Sequence, residues 1–279
     1  MSQAVHVRGT GRHGSSTRSR PSLGNNDRLP VRLHLVWEGI SQRDFGRCND
    51  LCVTWQWDLR DELVRRLPES AAARVLGSAA NASQLDGWSD LDLHIDLTTV
   101  SGPVDLLAGC QVWAVSEDRS AEQQTLRIVL VDGRRLDLVV QGGVIRRPAQ
   151  ADDNDVRMMA ALAAAKLGRG DHLIGLHLTL ELLRSSLVQA MLLRDRDLGT
   201  NVHRFGAQRD DVLAKEIAGL LHHPLGVVPR PNIIERTVEV YGRWRREPDP
   251  DYRPDWSGLD AVISRGLHHQ WRATHQAHR

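Results

Sequence analysis

The sequence predicts an α+β chain: a small mixed sheet first, then a C-terminal helical bundle. Two observations carry this. Between about residues 74 and 141, short apolar runs alternate in the period-2 manner of half-buried strands. Beyond Gly142-Gly143 the period changes to that of helices, and no strand pattern competes with it. The expected division is a basic, disordered tail over 1–28, a sheet domain over 29–145 and a helical bundle over 150–275.

The elements follow in order. Residues 1–28 carry Arg8, Arg12, Arg18, Arg20 and Arg28 against one acid, Asp27, with no apolar periodicity, so disorder is expected. Residues 31–37 alternate and suggest a strand. Residues 55–67 read as an amphipathic helix, with Trp57, Leu59, Leu63, Val64 and Leu67 near one face and Pro68 as its stop. Strands are expected at 74–76, 91–97, 110–115, 126–131 and 134–141. The last two are joined by Asp132-Gly133, a strong two-residue turn signal. Helices are expected at 155–168, 171–196, 209–222, 232–246 and 257–271. The second carries Leu173, Leu176, Leu180, Leu183, Leu187 and Met191 at helical spacing, and Pro224, Pro229, Pro231, Pro248, Pro250 and Pro254 punctuate the later ones.

Composition narrows the function classes. The chain has 279 residues, is 41% hydrophobic and carries a formal charge of +1, so it does not read as a broadly basic nucleic-acid binder. No apolar run is long enough to span a bilayer. Cys48, Cys52 and Cys110 have neither disulfide-framework nor zinc spacing, which fits a reducing cytoplasm. Of 36 basic residues only Lys166 and Lys215 are lysines, a bias that looks genomic rather than structural.

The chemistry concentrates at three places. An apolar strand ends in Gly77-Ser78, and after eleven intervening residues come Asp90-Leu91-Asp92. Strand alternation points both aspartates to one face, where they repel unless a cation lies between them. Hard divalent ions take oxygen ligands and bridge to phosphates. Asp137 then stands alone within an apolar strand, where a carboxylate needs a partner.

Gly77-Ser78, a spacer, Asp90-x-Asp92 and a later strand acid, Asp137, resemble the signature of the polymerase-β-type nucleotidyltransferase superfamily. The likeness covers roughly residues 55–245. The part from Lys166 to Gly206 is loosely similar to the helical half of antibiotic nucleotidyltransferases, the aminoglycoside- and lincosamide-modifying group. The resemblance implies Mg²⁺-dependent transfer of a nucleoside monophosphate, AMP from ATP, to a hydroxyl of a small-molecule acceptor. It implies Asp90, Asp92 and Asp137 as metal ligands and catalytic acids, with Asp137 as ligand or base, and Gly77, Ser78 and Lys166 on the nucleotide. The partners expected are an NTP and a small acceptor, with neither membrane nor nucleic acid.

One departure stands out. Many relatives carry an arginine just after Gly-Ser, where this chain has Ala79, Ala80 and Asn81, so the basic partner of the triphosphate must come from elsewhere. Other acids read as structural: Asp96 at a strand end, Asp86 in a loop, Asp171 and Glu181 on the bundle. Arg196, followed at residue 203 by His203, resembles the Arg/His pattern of RNA-cleaving helical domains. That supplies the alternative of a toxin–antitoxin-like module. The pairs His222-His223 and His268-His269 lack a further ligand at metal spacing.

Overall fold

The computed structural model describes residues 55–81, 85–199, 208–223, 225 and 232–276. These belong to one compact unit, Gly46–Arg279. The expected tail over 1–28, the expected strand at 31–37 and His203 lie outside the described residues.

The fold is α+β, with five strands in one mixed sheet and the later helices C-terminal to it. α1 (Trp55–Val64) precedes β1 (Ala72–Leu76), β2 (Leu91–Asp96), β3 (Val112–Arg119), β4 (Gln123–Leu130) and β5 (Arg135–Gln141). The sheet order is β1-β2-β5-β4-β3. Only β2 and β5 run parallel; the other pairs are antiparallel. That one parallel pair sets the site. It brings Asp92 opposite Asp137 although the two lie far apart in the chain.

Alternation decides the two faces. Leu91, Leu93 and Ile95 of β2 and Leu136, Leu138 and Val140 of β5 are buried, as are Leu59 and Leu63 of α1, which belong to the same apolar core. Their intervening neighbours Asp92, His94, Asp137 and Val139 are half-buried on the opposite face. At about 25 cal/mol per Å² of apolar surface, slipping either strand by one residue would expose its whole apolar set, so the register is firmly specified.

The expected β4–β5 hairpin forms, but through a three-residue loop, Val131-Asp132-Gly133: Leu130 N–H donates to Arg134 C=O and Gly133 N–H to Leu130 C=O, both at 2.9 Å, with Gly133 at φ 82. A Cβ there would run into the Ala261 backbone of α6 (Ser257–Gln276), so the hairpin tip also packs on a helix.

α2 (Asn154–Gly168) lies against β3 and β4. Its alanines at 160, 161, 163, 164 and 165 are all buried, so neighbours approach its backbone closely. At its start, the Asn154 side chain accepts from Val115 N–H at 2.8 Å and donates to Val115 C=O at 2.9 Å. This satisfies an edge-strand residue that would otherwise invite foreign pairing. Asp153 accepts from Arg157 Nε and from Tyr252 Oη, both at 2.6 Å, tying α2 to the segment before α6.

The remaining helices are α3 (His172–Leu198), α4 (Gln208–Leu220) and α5 (Ile233–Arg246). α5 begins with a capping box: Asn232 accepts from Ile234 and Glu235 N–H, and the Glu235 side chain accepts from Asn232 N–H. In α3 the apolar stripe picked out by sequence is only partly the buried one: Leu183 is buried and Leu176 half-buried. Leu173, Leu180, Leu187 and Met191 are exposed, whereas Gly175, Thr179, Leu182, Ser186, Ala190 and Leu193 face inward. Small residues let the α2 and α3 backbones come close, and that contact outweighs the greater apolar area of the leucines.

Candidate metal and phosphate site

Each acid arrives from a different local cause. Asp92 and Asp137 stand side by side on the open sheet face because β2 and β5 pair in parallel. Asp90 sits just before β2. One oxygen or more from each of Asp90, Asp92 and Asp137 lies within 4.8 Å of the others, and all three residues are half-buried. Three carboxylates at that separation repel strongly in a partly desolvated site.

The titration behaviour follows. Burial, then the charge of Asp90, raises the Asp137 carboxyl to about 7, with Arg127 and Arg135 pulling in the opposite direction. Burial, then Asp90, also raises Asp92, opposed by Arg169 and Arg135. A donor set of carboxylate oxygens alone suits a hard cation of the Mg²⁺, Mn²⁺ or Ca²⁺ kind. A divalent ion would relieve the repulsion that raises both aspartates.

Gly77 holds the fourth corner. It opens a 3-10 turn, Gly77–Ala80, at φ 59, and a Cβ on it would overlap Asp92 Oδ2. Only glycine satisfies both the left-handed backbone and the space. Ser78 follows, half-buried, its carbonyl accepting from Asn81 N–H at 3.1 Å. We expect Gly77→Ala to cost about 2–3 kcal/mol, a fall of roughly 5–10 °C in melting temperature for a chain of this size, and to weaken Mn²⁺ binding by pushing Asp92 aside. A melting curve and metal titration matching wild type would show that the contact is not needed.

Sequence reasoning missed the cations. Arg135, 7% exposed, lies two residues before Asp137. Its Nη1 is 3.7 Å from Asp90 Oδ2, and its Nη2 donates to the Trp88 carbonyl. Arg127 of β4 is opposite Asp137, with Nε 3.5 Å from Asp137 Oδ2. Arg169, one residue past α2, bonds Ser89 Oγ at 2.7 Å and Asp86 Oδ2 at 3.2 Å. The only prior signal was the absence of an arginine after Ser78, which demanded basic groups from elsewhere without saying where.

The other singled-out residues have structural partners. Lys166, on the last turn of α2, is 3.7 Å from Asp171, which in turn caps α3 by accepting from Ile174 N–H. Asp96 accepts from Thr98 N–H at 2.9 Å, and this bond is the main cause of its lowered pKa. Asp86 accepts from Trp88 N–H at 2.9 Å, and Glu181 pairs with Arg184 at 3.2 Å. Arg196 pairs with Asp197 at 2.8 Å and donates to the Glu247 carbonyl at 2.9 Å.

The fold and the acids together define an α+β protein with an oxygen-only candidate cation site. No family model matches the chain, and no curated protein matches it. Among solved structures the chain is similar to the polymerase core of TRAMP, an RNA surveillance complex, at 17% identity over 66% of this chain and 54% of that one. The chain therefore spans about half the length of that neighbour. The TM-score is 0.21, so the superposition carries no argument. Among the described residues, no helix is long and apolar enough to cross a membrane.

Proposed function

We propose that this chain is a Mg²⁺-dependent nucleotidyltransferase that moves AMP from ATP to a hydroxyl of a small-molecule acceptor, an aminoglycoside or lincosamide. The observation that carries the reading is the convergence of Asp90, Asp92 and Asp137 oxygens within 4.8 Å, with the Gly77 backbone against Asp92. Gly77-Ser78, Asp90-x-Asp92 and Asp137 also stand in the order the superfamily resemblance requires.

In the reaction, the acceptor oxygen bonds to the α-phosphorus and the bond from that phosphorus to the pyrophosphate oxygen breaks. Mg²⁺ bound by the aspartates would supply charge neutralisation on the phosphates. Gly77 lets the backbone approach the triphosphate, and Ser78 donates to it. With the cation bound Asp137 would be ionised, so its carboxylate would serve as a ligand or accept the proton leaving the acceptor hydroxyl. Arg135 orients Asp90, its Nη1 lying 3.7 Å from Asp90 Oδ2. Positioning and electrostatics carry such phosphoryl chemistry. A cytoplasmic location, where ATP and Mg²⁺ are both supplied, belongs to the same proposal, as does a two-domain organisation with the substrates between sheet and bundle.

The test is direct. The protein is incubated with Mg²⁺, each of the four α-labelled NTPs and a panel of aminoglycoside, lincosamide and unrelated hydroxyl acceptors, and read by mass spectrometry. We expect an acceptor heavier by one AMP, with pyrophosphate released. Absence of any adduct and of any pyrophosphate would overturn the reading.

Lys166 has a place in this proposal as a triphosphate contact that exchanges Asp171 for the nucleotide. Lys166→Ala should then raise the apparent KM for ATP about tenfold and leave the acceptor KM unchanged. If the lysine serves only Asp171, the exposed pair is worth under about 1 kcal/mol and nucleotide kinetics will not move.

A further inference from the structure

The turn that delivers Asp90 is held from both sides of the molecule. It runs from Asp86 to Ser89, directly before the acid. Inside it, Asp86 Oδ1 accepts from Trp88 N–H and from Ser89 Oγ, both at 2.9 Å. Asp86 N–H donates back to Ser89 Oγ at 2.9 Å, and Ser89 N–H donates to the Asp86 carbonyl at 3.1 Å. From the sheet, Arg135 Nη2 donates to the Trp88 carbonyl. From the bundle, Arg169 Nη2 donates to Ser89 Oγ at 2.7 Å, and its Nε donates to Asp86 Oδ2 at 3.2 Å. The Trp88 ring fills a slot between α2 and α6, where a Cβ on Gly168 or on Gly266 would overlap it. The next residue in the chain is Asp90.

We propose that Arg169 is a positioning residue for the cation site: by forking across Asp86 and Ser89 it fastens the Asp90 turn to the end of α2, so that the bundle sets where one of the three carboxylates lies. The inference rests on the cation site of the proposed reaction, but on neither its nucleotide nor its acceptor.

The hydrogen bonds favour this role over a phosphate contact. Ser89 is buried, and its hydroxyl oxygen is fully used, giving one proton and accepting two. Lifting the guanidinium onto a phosphate would cost the buried hydroxyl a donor and leave Asp86 without the ion pair that balances its charge. Fixed partners behind the ligands are what hold a metal site in its binding geometry. A planar guanidinium spans a carboxylate and a hydroxyl together, which a lysine ammonium does not match.

Placement and charge predict opposite signs. Arg169 is near enough to pull the Asp92 carboxyl downward. As a bare neighbouring cation it would repel a divalent ion, so its removal would tighten metal binding. As the holder of the Asp90 turn, its removal weakens that binding.

Calorimetric titration of Mn²⁺ into the full chain, without nucleotide, decides between them. The titrations are made at about pH 8, where proton competition at Asp137 is small. Arg169→Ala should weaken Mn²⁺ binding about tenfold, the lower end of what losing such a partner costs, with the circular dichroism spectrum unchanged. Arg169→Lys keeps the charge and loses the fork, so it should weaken binding nearly as much; it decides alone if the alanine variant does not fold. In an Asp90→Asn background, Arg169→Ala should cause no further loss, because the carboxylate it places is already gone. Unchanged or tighter binding in Arg169→Ala, wild-type binding in Arg169→Lys, or an undiminished loss in the Asp90→Asn background would each overturn the proposal. A wild type that takes up no Mn²⁺ would overturn the cation site itself, and this inference with it.

Discussion

Asp92→Asn is expected to abolish nucleotidyl transfer while leaving the fold intact. The substitution removes an anionic oxygen from a site where three must converge, and an amide is a poor ligand for a hard cation. Removing one preorganised charge contact of this kind typically costs a hundredfold or more in rate. The metal-free fold should not suffer. Asp92 is held partly desolvated beside Asp90, and both burial and that neighbour disfavour its charge. Asparagine keeps the shape that fits against Gly77 and removes one repulsive partner. We therefore expect at least about a hundredfold loss in kcat with Mg²⁺ saturating, together with a melting temperature in EDTA equal to or above wild type. Asp90→Asn should lose activity similarly, but it also strips Arg135 of its nearest carboxylate, so it should gain less stability. Wild-type turnover in either variant would remove the acids from the reaction.

How much of this was visible beforehand depends on whether the cause was local. The β4–β5 hairpin was legible because Asp132-Gly133 is a turn signal flanked by alternating strands, and the structure forms it there. Asp92 and Asp137 were legible as candidates because each interrupts an apolar alternation. Their juxtaposition was not, since it rests on the parallel β2–β5 pairing that closes a crossover through β3 and β4. The cations were hidden for the same reason. Arg135 reads in sequence as an ordinary strand residue, and only the fold sets its Nη1 beside Asp90. Arg127 becomes an acid's neighbour only through antiparallel register. In α3 the local signal was right at Leu183 but wrong along most of the stripe. Apolar area favoured Leu173, Leu180 and Leu187, but close helix packing took the face of Gly175, Thr179, Ser186 and Ala190. Periodicity identifies a helix well and its buried face less well when two faces are apolar.

Asp137 should make the stability of the metal-free protein depend on pH in an unusual direction. Its folded pKa is raised to about 7, mainly by burial and then by Asp90. In the unfolded chain it returns to about 3.9. Between those values the folded state binds a proton that the unfolded state does not, so stability falls as pH rises and is regained as pH falls through 7. The slope from this one group is at most about 1.4 kcal/mol per pH unit. Most carboxylates that accept hydrogen bonds act oppositely, as Asp96 does with its lowered pKa. Asp137→Asn removes the titration, so in EDTA the variant should be more stable than wild type at pH 8, by a margin that shrinks steadily as pH falls through 7 toward about 4. Divalent ions reverse the comparison. Binding needs the ionised carboxylate, so metal binding releases a proton, and the rise in melting temperature caused by Mg²⁺ or Mn²⁺ in wild type should grow as pH increases through 7. In Asp137→Asn that rise should be small and nearly flat with pH, and transfer activity should be lost. Melting curves from pH 5 to 8.5, with EDTA or with Mn²⁺, would check both halves. An equal metal-induced shift in variant and wild type at every pH would place Asp137 outside the cation site, leaving it a half-buried acid paired with Arg127.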